Sequence, residues 1–267
     1  MTLRFLTNTA GDNASIMSFV DGATASGYDD YDAMSGPRSR MVRSAASSSA
    51  ITLAHTFAAN VDADYMVVSR ADKLLTRSNM DTIIRNYGAN LAWSDISATI
   101  VCPLPLASLI GVGSQDYVKS FTPDVKRGYA LRVSTAGGDE EAMMISHLCF
   151  AKAFSFGVEP ERPLAEEDLT AEELAVPLKS EEPYKISRRI RLNFKGVARA
   201  KVDEFLALPQ VFNWPLYLYD DDDSDLALWE HQLEHVIVEG MTENWQARSD
   251  VDLWDIELRV ARLKHYE

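Results

Sequence analysis

The sequence predicts a mainly β protein, with a jelly-roll-like β-sandwich in its N-terminal part and a small β-sandwich or barrel with one flanking helix in its C-terminal part. Three observations predict the β class and the single helix, and the resemblances given below imply the finer architecture. Short apolar runs recur between residues 51 and 154, separated by Gly, Asp and Asn, a pattern typical of antiparallel sandwiches and barrels. The last third alternates apolar and polar residues with period two, broken by one stretch at helical spacing. A composition of 46% hydrophobic and 25% charged residues over 267 positions supplies enough apolar material for packed cores, which excludes a disordered or collagen-like chain.

Taken in order, the first sixty residues are rich in Ser, Ala, Gly and Asp, with turn signals at Gly22, Gly27, Gly36 and Pro37, and predict loops over a core. Strand-like runs follow: I-T-L-A-H-T-F (51–57), Y-M-V-V-S (65–69), T-I-I-R-N-Y (82–87), S-A-T-I-V-C-P-L (97–104), Y-A-L-R-V-S (129–134) and M-M-I-S-H-L-C-F-A-K-A-F (143–154). Between Gly157 and Pro183 the composition shifts to Glu and Pro, which predicts an interdomain linker over 159–183 with room for a short acidic helix around Glu166 to Ala175. The expected organisation is therefore a sandwich at 1–158, the linker, and a second β domain at 184–267.

In that second domain, Tyr184, Ile186, Ile190, Leu192 and Phe194 share one strand parity, with Arg188 as the exception. Ala198 to Leu208 places Val202, Phe205 and Leu206 at helical spacing before Pro209 ends the run. W-P-L-Y-L-Y (214–219) reads as a strand, and L-W-D-I-E-L-R-V-A-R-L (253–263) turns Trp254, Ile256, Leu258 and Val260 inward. Four of the five tryptophans fall in this last third. Aromatics at such density fill a small core or build an interface, so Trp214, Tyr217, Tyr219, Trp229 and Trp245 are the interface candidates.

Charge limits the partners. A net charge of -14 argues against direct nucleic-acid binding, which needs clustered Lys and Arg on one face. The one basic cluster, S-R-R-I-R at Ser187 to Arg191, reads as the polar face of a strand. No apolar run approaches the ~20 residues that span a bilayer, and M-T-L-R-F-L-T-N lacks a signal peptide's apolar core. The expectation is synthesis in the cytoplasm without membrane insertion. Cys102 and Cys149 sit among apolar residues and predict buried thiols, with a bridge between them left open.

One motif raises the question of chemistry. In W-E-H-Q-L-E-H (229–235), His231, Glu234 and His235 spell H-x-x-E-H, which in one class of zinc peptidases puts two ligands and a general base on one helical turn. That mechanism needs a helix and a further ligand downstream. The β-branched V-I-V-E-G that follows favours a strand, with His231 and His235 on the packed face and Glu234 turned to water. The run D-D-D-D-S-D (Asp220 to Asp225) lacks the Gly and Glu of a calcium loop and reads as a solvated acidic turn. G-V-G-S at Gly111 to Ser114 is neither a phosphate loop nor a nucleophile elbow, and His55 and His147 lie in apolar strand runs as packed or capping histidines. No Ser-His-Asp or Cys-His set assembles, so neither an enzyme nor a cofactor is expected.

The stretches A-N-V-D-A-D-Y-M-V-V-S-R-A-D-K-L-L-T-R (59–77), R-G-Y-A-L-R-V-S (127–134) and I-S-H-L-C-F-A-K-A-F-S-F-G (145–157) resemble the core strands of discoidin-type, galactose-binding-like β-sandwiches. R-R-I-R-L-N-F (188–194), V-D-E-F-L-A-L-P (202–209), W-P-L-Y-L-Y-D (214–220), L-W-E-H-Q-L-E-H-V (228–236) and D-L-W-D-I-E-L-R-V-A-R-L (252–263) resemble distal-tail and baseplate domains of tailed bacteriophages. These resemblances imply a non-enzymatic virion structural protein of a tail tip, a minor tail protein that forms a homo-oligomeric ring and contacts neighbouring tail or baseplate proteins. The sandwich resemblance implies surface carbohydrate as the alternative ligand, although no aromatic pair with Asp and Asn at set spacing marks a sugar site.

Overall fold

The computed structural model describes residues 3–8, 15–21, 26–27, 42–45, 50–69, 80–87, 96–103, 117–135, 144–145, 147–161, 165–174, 184–208, 211–212, 215–220, 233–248 and 251–264. The chain divides into two compact units, Met1–Asn8 with Ala153–Tyr266, and Thr9–Lys152. Both are β, as the alternation predicts, and among the described residues one short helix accompanies the strands.

In the first unit an antiparallel sheet runs in the order β10 (Ala165–Leu174), β11 (Tyr184–Ala198), β14 (Val251–Lys264), β13 (Leu233–Arg248), β12 (Pro215–Asp220), β1 (Leu3–Asn8). β1 falls where the sequence predicts loops, because L-R-F-L-T-N has no clean alternation. Leu3, Phe5 and Leu6 are all buried, and the pairing of β1 with β12 groups the strand with the C-terminal residues. The short acidic helix expected at 166–175 is instead strand β10, with a register break between Asp168 and Glu172. Its register on β11 sets Glu167 opposite Arg189, Asp168 opposite Arg188 and Glu173 opposite Lys185, and a helix of this length is marginal without tertiary support.

The core of this unit is aromatic. Phe5 lies 5.4 Å from Phe205 and 5.8 Å from Phe156, and Phe154 meets Phe156 edge-on at 4.9 Å. The inward set Ile256, Leu258 and Val260 of β14 joins them, as its alternation predicts. The one-parity reading of β11 needs correction. A register break between Ile186 and Arg188 sends Ile186 to the face of Leu263 and puts Arg188 on the face of Ile190, so an extra residue explains why Arg188 seemed misplaced.

α1 (Arg199–Leu206) follows β11 through Gly196, whose φ of +70° is open to glycine at no steric cost and whose N–H donates to Asp255 Oδ1 at 3.1 Å. Eight residues without a side-chain N-cap do not hold a helix by themselves. Burial of Val202 and Phe205 does.

In the second unit β4 (Ala50–Ser69) is the organising strand, a single element where the apolar pattern predicts two separate runs. Along one edge it pairs β2 (Ser15–Asp21) and then β9 (His147–Phe154), and along the other β7 (Tyr117–Thr135), which carries β5 (Met80–Tyr87) and β6 (Ile96–Pro103). A separate pair joins β3 (Val42–Arg43) to β8 (Met144–Ile145). Register puts Tyr129 opposite His55, and Phe150 opposite Met66. Eleven straight strand residues would separate those positions by roughly 35 Å, yet the rings of Tyr129 and Phe150 stack at 5.2 Å. The register breaks in β4 therefore fold its two halves face to face, as in a sandwich.

Candidate functional site

β13 carries two of the three motif residues, and His231 lies outside the described residues. Glu234 stands opposite Leu218, and His235 opposite Tyr217. Successive strand residues project to opposite faces, so a base at 234 and a ligand at 235 cannot address one ion. His235 is buried and stacks on Tyr217 at 4.7 Å with rings 22° apart.

The expectation that Glu234 faces water is overturned: the residue is 5% exposed. The reason lies in β14, whose Arg262 stands opposite Val236 on the face that Glu234 shares and donates from Nε to Glu234 Oε2 at 2.7 Å. A buried carboxylate persists when a guanidinium neutralises it. Among the described residues no group of three or more His, Cys, Asp or Glu is arranged to hold a metal ion. Of the acidic run only Asp220 is described, buried and opposite Leu3, while Asp221 to Asp225 lie outside.

The second titratable cluster is the His55 region. His55 is 1% exposed and packs on Phe57 at 4.2 Å, and neither of its ring nitrogens has a hydrogen-bond partner among the described residues. Burial, with nearby His147 as a lesser cause, pushes its pKa from 6.5 down to about 3. The imidazole is neutral near pH 7 and serves as a packing group. Tyr129, opposite it on β7, donates its hydroxyl to the carbonyl of Val61 at 3.0 Å. Cys149 is a free buried thiol whose pKa burial raises to about 12, far from a reactive thiolate.

The interface candidates divide. Tyr217 is core at 2% exposure, and Tyr219 is half-buried. Trp214 and Trp229 lie outside the described residues. For Trp245 only the backbone is described, opposite Trp254 in the β13–β14 ribbon. Trp254 itself, read from sequence as core, is half-buried and carries the guanidinium of Arg199 4.6 Å above its ring. Arg199 also pairs with Asp203 at 2.8 Å and Glu243 at 3.1 Å. Sequence reasoning missed this cluster because residues 199, 243 and 254 meet only through register. The i, i+4 spacing of Arg199 and Asp203 was the one local signal.

No protein-family profile and no curated protein matches the sequence. Solved structures similar to the chain include chitosan-binding module 1 from a chitosanase/glucanase of Paenibacillus sp. IK-5, at 10% identity and TM-score 0.39 over 55% of this chain and 99% of that one. A fucose-binding module of Streptococcus pneumoniae matches at 12% identity and TM-score 0.39, covering 55% of this chain and 96% of that one. A fucolectin from striped bass (Morone saxatilis) serum matches at 8% identity and TM-score 0.38 over 98% and 94%. Likeness at this level assigns the chain neither a family nor a ligand.

Proposed function

We propose that the protein is a non-catalytic binding and assembly protein, whose C-terminal β unit is an architectural module and whose N-terminal β unit is a recognition module. One observation carries this: the residues that spell chemistry in the sequence are built into the fold. Glu234 is neutralised by Arg262, His235 lies against Tyr217, and His55 packs on Phe57 as a neutral ring. A general base must reach a substrate proton, and an ion-paired carboxylate at 5% exposure does not.

The resemblance of residues 188–263 to distal-tail and baseplate domains supports a tailed-phage tail tip as the setting, with copies of the chain and neighbouring tail proteins as partners. The resemblance of residues 59–157 to galactose-binding-like sandwiches supports surface carbohydrate as the ligand class of the N-terminal unit. Both readings describe one kind of protein, since a tail-tip component that contacts a host surface needs a scaffold and a recognition face.

The test is direct. The full-length chain is placed on a glycan array that includes chitosan oligosaccharides and fucosides, while light scattering follows its mass across concentration. Saturable binding to a defined glycan, or a discrete oligomer, supports the proposal. A flat array together with a monomer at every concentration removes it, and so does turnover of a glycoside or peptide substrate.

A further inference from the structure

We propose that Arg191 and Arg259 form a carboxylate-receiving surface by which one copy of the chain grips a second copy. The inference rests on the assembly reading above and goes beyond it by naming the contact. Register supplies the first observation. Arg191 on β11 stands directly opposite Arg259 on β14, and the row continues to Ala165 on β10 at one end and Gly240 on β13 at the other. Both arginines are exposed. Across four strands, then, two adjacent guanidinium-bearing residues are flanked by the two smallest residues of the set.

Directly opposed like charges destabilise a sheet, so such a pair is costly unless something neutralises it. Three neighbouring arginines are neutralised within the chain: Arg189 by Glu239 at 2.9 Å, Arg262 by Glu234 at 2.7 Å, and Arg199 by Asp203 and Glu243. Arg191 and Arg259 have no ion pair or hydrogen bond with a described side chain. Glu257 stands one row further along β14, opposite Asn193 and Thr242, and makes no ion pair with either arginine among the described residues.

Gly240 shapes the site. A Cβ there would lie 3.3 Å from Nη2 of Arg259, so the guanidinium lies across the glycine, low against the sheet. Ala165 and Gly240 have no side chain long enough to reach over the pair.

The planar fork of arginine matches a carboxylate bidentately, and two forks side by side suit an acidic surface. The chain itself is rich in carboxylates. It has 40 Asp and Glu against 26 Lys and Arg, a net charge of -14, so a second copy presents carboxylates in excess. Two arginine rows placed against each other would repel, which rules out a two-fold contact through this row. The contact is heterologous, arginine row against acidic face, the kind that closes into a ring when its rotation permits.

The experiment is sedimentation of the full chain over a concentration series, comparing the wild type with Arg191→Thr/Arg259→Thr and Arg191→Glu/Arg259→Glu. The wild type self-associates, less so as salt is raised. The threonine variant weakens association by about tenfold and the glutamate variant by more. The threonine variant also melts at or above the wild-type temperature, because the repulsion is gone, and a merely structural role for the arginines predicts the reverse. Unchanged association in both variants overturns the arginine contact while leaving the assembly reading in place. A wild type that stays monomeric at every concentration overturns both. Variants that assemble normally but lose retention on immobilised polygalacturonate overturn the second copy as occupant in favour of an acidic sugar.

Discussion

At the scale of single residues, His55 shows how burial turns a titratable group into a condition on stability. An unfolded imidazole takes up its proton near pH 6.5, whereas the buried ring resists until about 3. The unfolded state binds the proton first, so stability is full above pH 6.5 and falls as pH drops toward 3. Between pH 6.5 and about pH 5 the loss is about 2 kcal/mol, and urea unfolding of His55→Phe over that range shows a flatter profile than the wild type. An equal slope in both proteins would put the acid sensitivity elsewhere. Glu234 makes the complementary case. Glu234→Ala removes the carboxylate to which Arg262 Nε donates, at a site where the guanidinium is partly solvated, and costs roughly 2–3 kcal/mol. Chelator treatment of the wild type leaves the melting temperature unchanged, in contrast to the large loss expected of a structural zinc site.

Among the elements, the joint between β11 and α1 is the most instructive. Gly196→Ala meets only Leu253 Cδ1 at 3.9 Å, so its cost of about 1 kcal/mol is one of backbone conformation at φ +70° and not of crowding. Calorimetry that found no change would mean that the turn relaxes. Phe205→Ala removes the ring that ties the helix to Phe5, Phe154 and Phe156, and costs roughly 3–5 kcal/mol. Far-UV circular dichroism then shows loss of the small helical contribution first, since eight residues without that anchor do not stay helical.

For the whole molecule, the surprising grouping is that of the first strand with the last third of the chain. Deleting residues 1–8 exposes one edge of β12 and removes Phe5 from the phenylalanine core. Hydrogen exchange of β12 and β13 therefore speeds up strongly in the deleted chain, and addition of a peptide of residues 1–8 restores protection in part. Unaltered exchange would show that β1 is dispensable to the unit.

The sequence by itself determined the class of fold, because period-two alternation such as that of Trp254, Ile256, Leu258 and Val260 is a local signal of one buried face. It also determined the position of the helix through the spacing of Val202, Phe205 and Leu206, and it located His235 in a strand through the β-branched residues that follow. Tertiary structure alone decided what these residues face. Whether Glu234 meets water or Arg262, whether Tyr217 is core, and whether Arg191 stands beside Arg259 all depend on register between strands far apart in the chain. A slip of one residue in that register exchanges the two faces, and no local pattern records which alternative is built.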